Sequence, residues 1–99
     1  VKEVAAKELA GKLKAGENVS IIDVREEKEV AQGKIPGALH IPLGQLPDRL
    51  DEMDKNKHYY MVCRSGGRSG KACLFLSEQG YDVTNMTGGM LDWEDEVEK

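Results

Sequence analysis

Short β-branched runs and segments of helical period alternate along this chain from one end to the other, and few folds accept that order. A strand, a helix and another strand in succession describe a parallel sheet whose crossovers lie on its faces. Val4, Ala5, Leu9 and Leu13 recur at helical spacing, with Gly16 as the stop. Val19-Ser20-Ile21-Ile22-Asp23-Val24 is the kind of run that forms a buried parallel strand. Arg25 to Gln32 predicts a short charged helix closed by Gly33, and Ile35-Pro36-Gly37-Ala38 a turn into a brief strand around Leu39 to Ile41. Pro42 to Leu50 carries Leu43, Leu46 and Leu50 as another short helix, followed by a polar surface connection from Asp51 to Lys57. His58-Tyr59-Tyr60-Met61-Val62 is the second clear strand and runs straight into Cys63. The loop Arg64 to Gly67 leads to a helix over Arg68 to Gln79 with Gly80 as its stop. Val83 and Thr84 make a last short strand, and Gly88-Gly89 turns the chain into a terminal helix containing Leu91 and Trp93. With 99 residues there is room for one modest core, so residues 1–99 are expected to form a single α/β domain. Its sheet should be doubly wound and mainly parallel, with about five short strands and helices on both faces.

Charge and cysteine usage narrow the function classes. A formal net charge of -4, with both signs spread along the chain, argues against a nucleic-acid or anionic-membrane partner, because both require a basic face. No apolar run approaches the roughly 18 residues that span a bilayer. Residues 1–20 read as an amphipathic helix rather than a signal peptide, which makes the cytoplasm the expected compartment. Val1 stands where an initiator methionine would, so whether the chain is whole or a domain of a longer one stays open. Cys63 and Cys73 are too few for a disulfide framework and are expected to be free thiols. Neither His40 nor His58 lies at a ligand spacing from a cysteine, so no metal site is expected. No organic cofactor is expected either. The chain has no G-x-G-x-x-G, and Ser65 and Ala72 stand where a Walker A loop needs glycine and Ser or Thr.

Cys63 is the candidate nucleophile. A cysteine at the carboxyl end of a strand, followed by a tight loop and then a helix, sits where open α/β sheets bind ligands. In Arg64-Ser65-Gly66-Gly67-Arg68-Ser69 the glycines let the backbone curl so that successive N–H groups point inward as an anion nest. The helix start near Arg68 adds unpaired N–H groups and a positive dipole end. With Arg64 and Arg68 nearby, these features favour thiolate over thiol. The bland alternative is a small buried hydrophobe at a strand end, but inert cysteines lack electropositive surroundings. Cys73, among Ala72, Leu74, Phe75 and Leu76, reads as a packed core thiol rather than a resolving cysteine. Trp93 reads as a packing residue that could border the site. His40 and His58 have no nucleophile beside them in sequence.

Ile22-Asp23-Val24-Arg25-Glu26, Ile35-Pro36-Gly37-Ala38, Ile41-Pro42-Leu43, Cys63-Arg64-Ser65-Gly66-Gly67-Arg68-Ser69 and Gly88-Gly89 with Trp93 together resemble the rhodanese domain. These motifs stand in the family's order from about residue 4 to residue 95, so the resemblance covers the whole domain. It implies a doubly wound α/β fold whose cysteine attacks a sulfane sulfur donor, holds the sulfur as a persulfide and passes it to a nucleophilic acceptor. It implies a small anionic donor such as thiosulfate or a persulfide, a thiol or cyanide acceptor, and room for a sulfur-relay protein partner. It also implies that Asp23 and Arg25 pair and brace the active loop rather than react. Lys34 departs from the family, which often carries histidine before the Ile-Pro-Gly-Ala turn, and bears on the rim of the site.

Two rival readings belong to other classes. Phosphatases and arsenate reductases of related architecture wrap an oxyanion in a loop one residue longer. Here Arg68 comes one position early and Ser69 stands where their arginine would, so the nest is too small for phosphate. A noncatalytic interaction module on the same scaffold is the second rival, opposed by Cys63 and its intact loop, and between it and the enzyme stands a relay that receives persulfide from a partner protein.

Overall fold

A computed structural model describes residues 1–99 and builds them around one five-stranded sheet in which every pairing is parallel. The strands are β1 (Lys2–Ala5), β2 (Ser20–Asp23), β3 (Leu39–His40), β4 (His58–Val62) and β5 (Asp82–Thr87), in spatial order β1-β5-β4-β2-β3. The α-helices are α1 (Ala6–Lys14), α2 (Glu27–Val30) and α3 (Gly67–Glu78), supplemented by 3₁₀ segments over Leu43–Glu52 and Gly89–Asp92. The expected α/β architecture is therefore the one observed.

Both faces of the sheet are covered, as a parallel sheet requires. On one face α3 and the first 3₁₀ segment bury Ala72, Cys73, Leu76 and Leu46 against Ile22, Tyr59, Met61 and Val83. On the other, α1 buries Ala6 and Leu9 against Val4, Ile21, Val62 and Met86, with Trp93 and Met90 packed at the margin. Consecutive strand residues divide between the two cores: Ile21 and Val62 face α1, while Ile22 and Met61 face α3.

Several boundaries depart from expectation. Val4 and Ala5 belong to an edge strand and not to the first helix, because β1 pairs with β5 in the register Val4↔Met86 and Ala5↔Thr87. Of its four residues Val4 alone is buried, too little to print an alternating pattern. The stretch from Pro42 coils as a 3₁₀ helix, since Pro47 lies inside it and offers no N–H, and Arg49 leaves helical geometry. The charged helix after β2 is one turn, Glu27–Val30. The last strand is longer than Val83-Thr84, and the terminal helix is a 3₁₀ turn that ends before Trp93.

The order of connections matters for function. The chain leaves β2 toward β3 on one side and leaves β4 toward β5 on the other, so a crevice opens at the carboxyl ends of these two neighbours. Asp23 ends β2 with Arg25 just beyond it, and Cys63 follows β4.

Candidate active site

Cys63 caps β4 with 1% of its surface exposed. Its Sγ receives the Gly66 N–H at 3.0 Å and lies 3.3 Å from the Ser69 hydroxyl. Gly66, at φ 102°, is the left-handed residue that turns the loop into α3. The helix starts at Gly67 rather than Arg68, so its first turn stands directly behind the sulfur. Burial is the largest influence on the thiol and pushes its pKa up. Hydrogen bonds from the Ser69 hydroxyl and from the amides of Ser69, Gly66 and Ser65 outweigh it together, so Cys63 ionises below an ordinary cysteine.

The inward N–H groups exist because the loop's carbonyls are engaged elsewhere. Cys63 O accepts the Met90 N–H at 2.9 Å and Arg64 O accepts the Leu91 N–H at 3.0 Å. That contact brings the second 3₁₀ segment so close that a Cβ on Gly89 would lie 2.4 Å from Arg64 O. Gly89 itself has φ 57°, so both space and conformation require glycine there. Gly66 O is held by the Gly70 N–H at 3.0 Å and by Asn85 Nδ2 at 3.1 Å. Asn85 reaches the loop from β5, where it stands beside Met61. Its Oδ1 lies 2.6 Å from the Ser69 hydroxyl, which also faces the sulfur. Cys63, Gly66, Asn85 and Ser69 thus close a ring of hydrogen bonds around a buried sulfur.

The two arginines differ. Arg64 is exposed and takes part in none of the ion pairs. Arg68 gives both terminal nitrogens to the Glu29 carboxylate, at 2.6 and 2.7 Å. The Arg68 guanidinium holds the Glu29 carboxyl at a pKa of about 2. Asp23 and Arg25 do pair: Arg25 donates from Nε to both Asp23 oxygens at 3.0 Å and from Nη2 at 2.8 Å. The same guanidinium reaches Gly33 O at 2.8 Å and Glu29 O at 3.4 Å. Its contact with the cysteine loop is therefore indirect, through α2 and Glu29 to Arg68.

Other candidates lie apart. Cys73 is fully buried in the core, and burial pushes its thiol up to about 11. Lys34 turns away to Ala38 O at 2.8 Å and to the Glu98 carboxylate at 3.5 Å. Trp93 packs against the core on the α1 face, while Cys63 belongs to the core on the α3 face. His40 donates from Nε2 to Arg25 O at 2.6 Å. His58, bound to Thr84, sits at the amino end of β4, the opposite edge of the sheet from Cys63. Sequence reasoning missed Glu29 and Asn85. An amide side chain inside the run Val83-Thr84-Asn85-Met86 was a signal for the second, while nothing local ties Glu29 to Arg68, 39 positions away.

Comparison with known proteins agrees with this geometry. The family model for the rhodanese-like domain matches residues 5–96. The YtwF protein of Bacillus subtilis is 45% identical over 97 residues, covering 98% of this chain and 94% of that one. A protein of Allochromatium vinosum named sulfurtransferase is 40% identical over 94 residues, 94% of this chain and 88% of its own. The crystal structure of a rhodanese-like domain protein from Staphylococcus aureus superposes with a TM-score of 0.94 at 42% identity, over 99% of this chain and 97% of the other. No helix is long and apolar enough to cross a membrane.

Proposed function

The chain belongs to the rhodanese-like domain family, and from that premise we propose that it moves sulfane sulfur from an anionic donor to a thiol or cyanide acceptor through a persulfide on Cys63. One observation carries this reading: a buried sulfur that accepts the Gly66 N–H at 3.0 Å and faces the Ser69 hydroxyl at 3.3 Å in front of a helix start. Such a setting favours the sulfur anion over the thiol relative to an ordinary cysteine and leaves the amides of residues 64 to 69 as donors for a second, terminal sulfur.

In the first half-reaction the Cys63 thiolate attacks the outer sulfur of thiosulfate or of a persulfide. The new S–S bond forms as the donor's S–S bond breaks, and the electron pair leaves with sulfite or with a thiolate. The product, Cys63–S–S⁻, carries its charge one atom further out in the nest. In the second half a thiolate or cyanide attacks that terminal sulfur, and the Cys63 thiolate departs. Both halves are displacements at sulfur in which every electron pair is accounted for, so the scheme requires no metal or organic cofactor.

Arg64 and Arg68 attract the donor in this scheme, and Asp23 with Arg25 braces α2 beside the loop. The name of the Allochromatium relative supports the reaction class. The acceptor is a small thiol or the cysteine of a relay protein. Free thiols at Cys63 and Cys73 suit a reducing compartment such as the cytoplasm.

Intact mass after incubation with thiosulfate tests the proposal. The parent chain should gain one sulfur atom that cyanide removes as thiocyanate, and Cys63→Ser should gain none. A gain that persists in the variant would place the sulfur elsewhere and sink the assignment.

A further inference from the structure

We propose that Glu29 sets the donor class of this site, favouring persulfides that present a single negative charge over compact dianions such as thiosulfate. The inference rests on the sulfurtransferase reading and deepens it.

Arg68 is the cation that the loop places at the first turn of the helix behind the sulfur, and it is already occupied. Its two terminal nitrogens meet the two Glu29 oxygens at 2.6 and 2.7 Å, a bidentate pair of the strong, geometrically specific kind. The carboxylate is not a mobile surface partner. Glu29 Oε1 also accepts the Glu26 N–H at 3.1 Å, and the Glu29 carbonyl is tied to Arg25, itself locked to buried Asp23. Both members of the pair are only about a third exposed or less, at 34% and 28% of their side chains. The Glu29 contact comes first among the influences that raise Arg68's pKa, with the charges of Cys63 and Glu26 adding to it.

Of the two arginines in the cysteine loop, Arg64 therefore has no carboxylate partner, while Arg68 is cancelled by Glu29. To bind Arg68 directly, an anion must displace a carboxylate held by three hydrogen bonds. Coulomb energy is linear in ligand charge, so the carboxylate penalises a dianion twice as much as a monoanion at the same position. In the reaction this class implies, the Cys63 thiolate and RSS⁻ give Cys63–S–S⁻ and RS⁻. The donor's S–S bond breaks, and the electron pair leaves on the RS⁻ thiolate.

The test is single-turnover loading of Cys63, read by intact mass, with thiosulfate and with the persulfide of 2-mercaptoethanol as donors. Glu29→Gln removes the charge and keeps the shape. If it speeds the monoanion about threefold, linearity sets the dianion at about ninefold, so the ratio of thiosulfate to persulfide loading rises about threefold. That rise should fade near 1 M salt, where screening acts within about 3 Å. Arg68→Gln, which leaves the Glu29 charge uncancelled, should move the ratio about threefold the other way. An unchanged ratio in both variants, or a change indifferent to salt, overturns the inference and leaves the sulfurtransferase reading standing. A parent chain that loads from neither donor removes both.

Discussion

Ser69 has one hydroxyl proton and two buried acceptors for it, Asn85 Oδ1 at 2.6 Å and the Cys63 sulfur at 3.3 Å. While Cys63 is a thiol, the S–H can donate to the Ser69 oxygen and the hydroxyl to Asn85. Once Cys63 ionises, the sulfur competes for that proton. Hydrogen bonds to charged groups are worth about 1.5–3 kcal/mol, so Ser69→Ala should raise the midpoint of Cys63 alkylation against pH by about one to two units. The rate of iodoacetamide labelling measured from pH 5 to 10 reads this directly; an unmoved midpoint would mean that the hydroxyl stays on Asn85. Cys73, at about 11, is a thiolate at pH 7 in only about one molecule in ten thousand, so label at Cys63 should dominate in parent and variant alike. The cysteine and its loop were legible in the sequence because one uninterrupted stretch carries them. Asn85 and Glu29 were not, because the sheet order and a contact across the crevice bring them in from elsewhere in the chain.

The 3₁₀ turn Gly89–Asp92 acts on the cysteine loop as an element, by taking the carbonyls of Cys63 and Arg64 on the N–H groups of Met90 and Leu91. A methyl group at position 89 would meet Arg64 O at 2.4 Å and Cys63 O at 2.5 Å, both backbone atoms with little freedom to yield. Gly89→Ala should therefore cost about 2–4 kcal/mol in denaturant unfolding and slow sulfur loading by about tenfold or more. Gly11→Ala is the matched control. It lies in α1 with nothing within 4 Å of the added methyl, and should stabilise by about 0.5–1 kcal/mol with loading unchanged. Equal effects at the two positions would remove the special role of the turn. Elements with a strong period of their own, β2, β4 and α3, were readable from sequence to within a residue or two. Those set by tertiary pairing were not: β1 exists because β5 offers it an edge, and the Leu43–Glu52 segment winds as 3₁₀ around Pro47 despite helical leucine spacing.

Over the whole molecule, proton uptake works against the fold at several groups, and two of them, His58 and Glu29, lie far apart. His58, part-buried at the amino edge of the sheet, has its pKa lowered from 6.5 mainly by burial, with Asp82 opposing and Lys2 and Lys12 adding to the fall. The unfolded chain then binds a proton more readily than the native one, so stability declines as pH drops through 6.5 toward the lowered value. Glu29 lies across the sheet at the crevice. Its carboxyl goes from 4.5 to about 2 on folding, held first by Arg68, so its contribution is complete above 4.5 and lost as pH falls through 2. Solvent screening of this partly exposed pair keeps that contribution to about 1 kcal/mol or less. The two limbs are separable by urea unfolding at a series of pH values. His58→Gln should flatten the decline just below pH 6.5 and leave the lower limb intact, whereas Glu29→Gln should flatten the region below pH 4.5 and leave the upper limb intact. If Glu29→Gln left the acid limb as steep as in the parent, the bridge between α2 and α3 would carry no stability. Its effect on donor choice would then be electrostatic alone, since the same charge faces the ligand whether or not it holds the fold together.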